Sequence, residues 1–114
     1  MPDDAKAFYQ TWPQRMNHAK TQAPDAARAF GGMFQAVMKD GAMSVREKEL
    51  VALGIGLAVR CDGCIYSHVE KALKLGATRE QILETAGVAV MMQGGPTYTY
   101  LPKVVEALDA LETD

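Results

Sequence analysis

The apolar residues of this chain recur at helical spacing over most of its length. Between residues 24 and 38, and again between residues 97 and 111, they fall three or four positions apart, which places them on one face of an α-helix. No stretch alternates apolar and polar residues for long enough to predict a strand. The pattern therefore predicts an all-α fold of about six helices in one domain, residues 1–114.

Residues that favour helix starts and stops divide this pattern into separate helices. They are the capping pairs Ser44/Glu47 and Thr78/Gln81, Pro24 at a first helical position, and the breaks at 40–41, 76 and 94–96. Pro13 interrupts the first helix, because proline lacks the N–H that a helix interior needs. We therefore expect a broken pair of short helices up to about Thr21.

One predicted helix is apolar on every side. Residues 50–59 contain no polar side chain, and a helix that is apolar all round is buried all round. A chain of 114 residues can hardly cover such a helix alone. We therefore expect a homo-oligomer, in which Gly54 and Gly56 allow helices to approach closely. The alternative is a central helix that is covered by its own neighbours.

Composition and charge exclude several classes of function. The formal net charge is −2, whereas a nucleic-acid-binding protein needs a basic face. The polar, acidic residues 1–6 do not resemble a signal peptide, and the longest apolar stretch is half the length that spans a bilayer. We expect a cytoplasmic protein that binds neither nucleic acid nor membrane. In that reducing compartment, a close cysteine pair is more often catalytic or metal-binding than structural.

The only two cysteines lie in one segment with one of the two histidines. In the pattern Cys61-x-x-Cys64-x-x-x-His68, the three side chains share one face of a helix. Cys64 lies in the first turn of the predicted helix, where the helix dipole favours a thiolate. His68 can accept the thiol proton, and Cys61 can close a disulfide. The segment thus offers a nucleophile, a base and a resolving thiol.

Three other interpretations of this segment compete with redox chemistry. The cysteines can be small buried hydrophobic residues. They can also bind a metal together with His68, but a closed site needs a fourth ligand and His18 is far away in sequence. Covalent haem is excluded, because Ile65 occupies the position that a histidine would need. We predict a site without a metal or another cofactor.

Glu49 is the last charged residue before the apolar helix segment. A partly buried carboxylate can pass protons, whereas an exposed one only complements the helix dipole. In a straight helix Glu49 lies about 18 Å along the axis from Cys61. We therefore expect Glu49 to reach His68 only if the two helices cross steeply, or if it comes from a neighbouring subunit.

The spacing of these four residues resembles a family signature. Glu49, eleven residues, Cys61-x-x-Cys64, three residues and His68 resemble the carboxymuconolactone decarboxylase-like superfamily, in its alkylhydroperoxidase D branch. Flanking similarity extends from about residue 40 to residue 96. The resemblance implies an all-helical fold that assembles as trimers or hexamers, with the active site near subunit contacts.

The resemblance also implies roles for the residues. Cys64 would attack a peroxide, Cys61 would resolve the product, and His68 and Glu49 would relay protons. Gly63 departs from the pattern, because the best-known members have a histidine there, so the relay is one member short.

We therefore expect a thiol-dependent peroxidase or disulfide reductase. Its substrate would be an alkyl hydroperoxide or a protein disulfide, and a thiol or dithiol would donate electrons. One alternative is a decarboxylase-type lyase for a small lactone acid, with His68 and Glu49 handling protons. The other is a redox-responsive assembly protein whose cysteines control oligomer contacts.

Overall fold

A computed structural model describes residues 3–112, and within them every regular element is a helix. The helices are α1 Asp3–Gln22, α2 Pro24–Val37, α3 Val45–Ala58, α4 Asp62–Lys74, α5 Arg79–Gln93, α6 Gly95–Tyr98 and α7 Leu101–Glu112. The prediction of an all-α fold is confirmed. The described residues form seven helices, of which α6 is a single turn, so the expected number of about six is close to the observed one.

The predicted capping residues form the expected hydrogen bonds. The Ser44 hydroxyl accepts from the Glu47 backbone N–H, and the Glu47 carboxylate accepts from the Ser44 backbone N–H at 2.7 Å. Thr78 and Gln81 form the same reciprocal pair at the start of α5. Local sequence therefore determines where α3 and α5 begin.

Two predicted boundaries were wrong. Helix α1 runs through Pro13 without a break. Pro13 is exposed, so the carbonyl group of Tyr9, which lacks its helical partner, can bind water instead. The last helix begins at Leu101 rather than Thr97, because the short α6 and a turn follow the glycine and proline residues at 94–96.

Helices α3 and α4 form the centre of the fold, and α7 and α1 pack on α4. Fully buried aliphatic side chains fill the space between these helices and α5, namely Leu53, Leu57, Ile65, Val69, Ile82, Val104 and Leu108. Helix α3 is nevertheless not buried on every side within the chain, because Val51 is 49% exposed and Ile55 is 60% exposed. The expectation of complete burial therefore fails for a single chain.

The turn between α3 and α4 determines where the cysteine pair lies. The Cys61 N–H donates to the Gly56 carbonyl oxygen at 3.0 Å, and the Arg60 N–H donates to that of Leu57 at 3.1 Å. This is the Schellman arrangement, and Arg60 has the positive φ of 58° that it requires. Arg60, which closes α3, is thus followed directly by Cys61, the N-cap of α4.

A partly buried tyrosine connects α1 to α4. The Tyr9 hydroxyl donates to the Tyr66 carbonyl oxygen at 2.6 Å. Burial raises the pKa of Tyr9 well above its ordinary value, and the negative charge of Glu70 adds to this effect. The folded chain therefore holds the phenolic proton more tightly than the unfolded chain does.

We expect this tyrosine to make folding stability fall at alkaline pH. Its contribution is complete below about pH 10, the ordinary pKa of tyrosine, and is lost as the pH rises further. Urea unfolding at pH 8 and pH 11 measures the loss. Tyr9→Phe should lower stability at pH 8 by about 1 kcal/mol and reduce the loss between the two pH values. Tyr98→Phe, at an exposed position, is the control, and an equal effect of both variants would contradict the assignment.

Candidate functional site

The cysteine pair is joined at the start of α4. Cys61 and Cys64 form a disulfide, with their Cα atoms 5.2 Å apart. Cys61 is the N-cap rather than part of the helix, and its Sγ accepts a hydrogen bond from the Cys64 N–H at 3.1 Å. A sulfur atom thus occupies the position where serine or aspartate caps most helices. The two sulfurs are therefore placed to cycle between dithiol and disulfide.

The carboxylate and the imidazole meet within one chain. Glu49 Oε1 lies 2.6 Å from His68 Nδ1. The Glu49 side chain is 3% exposed and that of His68 is 17% exposed. Because Nδ1 is engaged with the carboxylate, Nε2 is the ring nitrogen that remains for proton transfer to another group.

Glu49 therefore reaches His68 within one chain, and a carboxylate from a neighbouring subunit is not required. The interpretation of Glu49 as a solvated residue of the first helical turn is wrong, because its side chain is buried.

Gly56 allows α3 to approach the cysteine pair closely. A Cβ atom at Gly56 would lie 2.9 Å from Cys64 Cβ, which is too short for a normal contact. The close approach that the sequence suggested for this glycine therefore occurs within the chain.

We expect Gly56→Ala to lower the free energy of unfolding by about 1–3 kcal/mol, because the added methyl group overpacks the junction of α3 and α4. Gly87→Ala is the matched control, since a Cβ there meets nothing within 4 Å and alanine favours the helix. Urea unfolding of the disulfide-bonded proteins measures both changes. Equal effects of the two substitutions would show that the close contact with Cys64 does not limit the size of the residue at position 56.

An aromatic cluster that the sequence did not predict lies beside the start of α4. The rings of Phe8 and Trp12 stack with centroids 4.8 Å apart, and Phe8 also contacts Tyr66. A Cβ atom at Gly63 would meet the Phe8 ring at 3.8 Å. The spacing of Phe8 and Trp12, one helical turn apart, was the available signal.

An ion pair beside the cysteines was also missed. Lys103 Nζ of α7 lies 3.3 Å from Asp62 Oδ2 in the first turn of α4. Asp62 and Lys103 are far apart in sequence, and no local pattern connects them.

An apolar groove of about 440 Å³ lies between α3 and α5. Its lining residues are Leu50, Val51, Gly54, Ile55, Ala58, Thr85, Val88, Ala89 and Met92. None of the four candidate site residues lines it, so the groove is separate from the candidate site.

Two further observations concern metals and membranes. Within residues 3–112, no three His, Cys, Asp or Glu side chains are grouped so that they could hold a metal ion. His18 is exposed on α1. Among the helices of the described residues, none is both long and apolar enough to cross a bilayer.

The arrangement combines two chemical capabilities. A dithiol that can close to a disulfide can exchange two electrons with a substrate. A buried carboxylate that orients an imidazole can give or take a proton. Cys64 and His68 connect them, because they lie one turn apart on α4.

Comparison with known proteins relates the chain to one family. The model of the carboxymuconolactone decarboxylase family matches residues 24–112, which include all four candidate site residues. An uncharacterized protein of Cupriavidus necator is 38% identical over 88 residues, which cover 77% of this chain and 78% of that protein.

Solved structures of the same family are also similar. A family protein from Legionella pneumophila, in its apo form, has a TM-score of 0.86 at 36% identity and covers 94% of this chain and 96% of its own. A family protein from Thermotoga maritima, described as a candidate participant in the antioxidative response, has a TM-score of 0.70 at 30% identity. Its alignment covers 75% of this chain and 89% of that chain.

Proposed function

This chain belongs to the carboxymuconolactone decarboxylase family, and we propose that it is a thiol-dependent peroxidase that reduces alkyl hydroperoxides. The observation that carries the proposal is the buried Glu49–His68 pair one helical turn from a cysteine that closes a disulfide. The antioxidative role suggested for the Thermotoga maritima relative agrees with it.

The first step oxidises Cys64. His68 accepts the thiol proton, and the Cys64 thiolate attacks the terminal peroxide oxygen. The O–O bond breaks, the sulfur becomes a sulfenic acid, and the alkoxide leaves. The protonated imidazole returns its proton to this alkoxide, so that an alcohol is released. Glu49 orients the ring and stabilises its charged form through Nδ1.

The second step closes the disulfide. The Cys61 sulfur attacks the sulfenic sulfur of Cys64, an S–S bond forms, and hydroxide leaves as water after protonation. An external thiol or dithiol then supplies two electrons and two protons, which regenerates both thiols. The disulfide geometry at the start of α4 corresponds to the oxidised form of this cycle.

Steady-state turnover tests the proposal. The protein is mixed with cumene hydroperoxide and excess dithiothreitol, and the alcohol is measured by chromatography. We expect catalytic production of the alcohol, at a rate limited by the missing histidine at Gly63. A rate equal to that of dithiothreitol alone would refute the peroxidase, and turnover of a lactone acid by a Cys61→Ser, Cys64→Ser variant would select the lyase.

We further propose that the groove between α3 and α5 packs against a second copy of the chain. Its lining contains no charged residue, and two of the lining residues, Val88 and Met92, are 59% and 74% exposed. An uncharged apolar surface is matched by another apolar surface, and the same face on a second copy provides one. The trimer or hexamer expected from the family remains a prediction.

A charge in this groove should dissociate the oligomer. Ile55→Glu leaves the fold of one chain intact, because this side chain is 60% exposed, but it places a carboxylate in the apolar contact. Light scattering should give an oligomer for the wild type and a monomer for Ile55→Glu, while the exposed Gln10→Glu stays oligomeric. A monomeric wild type would contradict the prediction. A mass that changes only on oxidation would favour the redox-responsive assembly protein.

A further inference from the structure

An ion pair connects the last helix to the first turn of the cysteine helix. Lys103 Nζ lies 3.3 Å from Asp62 Oδ2, and the Lys103 side chain is only 21% exposed. Burial lowers the pKa of Lys103, but its interactions with Asp62 and Tyr66 raise it more, so the pKa lies above its ordinary value. Lys103 therefore carries its positive charge at neutral pH.

Asp62 occupies a position that opposes thiolate formation. It directly follows the N-cap Cys61 and precedes Cys64 by two residues, within the turn where the helix dipole favours negative charge. A carboxylate there competes with a thiolate for the same positive potential. Without a nearby positive charge, the Asp62 carboxylate would make the thiols of the reduced protein less reactive.

We propose that Lys103 is a positioning residue of the thiol site, which neutralises Asp62 and so keeps the cysteine pair reactive. The proposal rests on the proposed function, because it takes the Cys61 and Cys64 thiols as the reactive groups. Helix α7 contains none of the four candidate catalytic residues, and the proposal gives it a part in the chemistry through Lys103.

Other groups share this environment and must stay unchanged in the test. The charged and titratable side chains around the first turns of α4 and around Lys103 include Asp4 and Tyr9 of α1, Glu49 of α3, Tyr66 and His68 of α4, Tyr100 and Lys103 at the start of α7, and Arg60 in the turn before α4. Helix α5 follows α4 at its other end. Of these, only Lys103 forms an ion pair with Asp62 in the described residues.

Two substitutions separate charge compensation from a structural ion pair. Lys103→Met and Asp62→Asn both abolish the same ion pair, so a structural role alone would change both variants in the same direction. Charge compensation predicts opposite directions, because Lys103→Met leaves an unbalanced carboxylate and Asp62→Asn leaves an unbalanced ammonium group. Lys103→Arg keeps the charge and should behave like the wild type.

The experiment measures alkylation of the reduced protein by iodoacetamide, an uncharged reagent, between pH 5 and pH 10. Modified Cys61 and Cys64 are identified by mass spectrometry. At pH 7 we expect Lys103→Met to react about two- to fivefold more slowly than the wild type, and Asp62→Asn to react faster by a similar factor. The pH profiles should move to higher and lower pH respectively, and the double variant should react like the wild type.

Changes of both single variants in the same direction, or no change in Lys103→Met, would overturn the inference. Thermal unfolding of each variant verifies that the compared proteins are folded at the assay temperature. No peroxide is present, so this result is independent of the peroxidase assay. Failure of the peroxidase proposal would leave the alkylation rates as they are, and failure here would leave peroxide turnover intact.

Discussion

Cys64→Ser should lower the rate of hydroperoxide reduction by at least about a thousandfold. A serine hydroxyl at neutral pH is a far weaker nucleophile than a thiol, and the remaining cysteine, Cys61, is the N-cap of α4 and lies one turn further from His68 than Cys64 does. The measurement is stopped-flow oxidation of the reduced protein by cumene hydroperoxide. A variant that reacts as fast as the wild type would exclude Cys64 as the attacking residue.

Cys61→Ser is the matched control, since it removes the other thiol and leaves Cys64 and His68 in place. We expect the first oxidation to persist and a sulfenic acid to accumulate on Cys64, because no second thiol can resolve it. Trapping with dimedone and peptide mass mapping detects this product. Persistence of the first step in Cys61→Ser, together with its loss in Cys64→Ser, assigns the two roles in the proposed order.

His68→Ala should lower the rate of Cys64 oxidation by about a hundredfold or more, the usual contribution of a general acid or base. Glu49→Ala should have an effect of similar size, because the imidazole then lacks the carboxylate that orients Nδ1. Since the two side chains act as one unit, the double variant should be little slower than either single variant.

Glu49→Gln tests what the charge of the carboxylate contributes. The amide oxygen can still accept a hydrogen bond from Nδ1 but does not stabilise a charged ring, so an intermediate rate is expected. Glu84→Gln, at an exposed position of α5, is the control for loss of a carboxylate and should react like the wild type. Additive losses in the Glu49→Ala, His68→Ala variant would contradict a coupled pair.

Local signals in the sequence were sufficient to predict much of the fold. Ser44 with Glu47, and Thr78 with Gln81, begin helices through hydrogen bonds between neighbours in the chain, and Gly76 ends α4 with a φ of 95°. Such contacts depend on a few adjacent residues, and so a pattern can reveal them. The break predicted at Pro13 does not occur, because proline removes only one backbone hydrogen bond and a long exposed helix tolerates that loss.

The candidate site was predicted in its residues but not in its geometry. The placement of Cys64 and His68 on one face of α4 followed from the helix period, whereas Cys61 caps the helix and the Glu49–His68 contact depends on the register between two helices. That register is set by the turn at Arg60 and by the close approach at Gly56, neither of which a pattern of apolar residues reveals. The Lys103–Asp62 pair was missed for the same reason, because it connects distant segments.

We propose that Cys64, aided by Glu49 and His68, reduces a hydroperoxide and is resolved by Cys61. A single turnover tests this cycle: fully reduced protein receives one equivalent of cumene hydroperoxide, and both products are quantified. We predict one equivalent of alcohol, loss of both thiols and a Cys61–Cys64 disulfide in mapped peptides. Two free thiols and unchanged hydroperoxide after the same interval would contradict it.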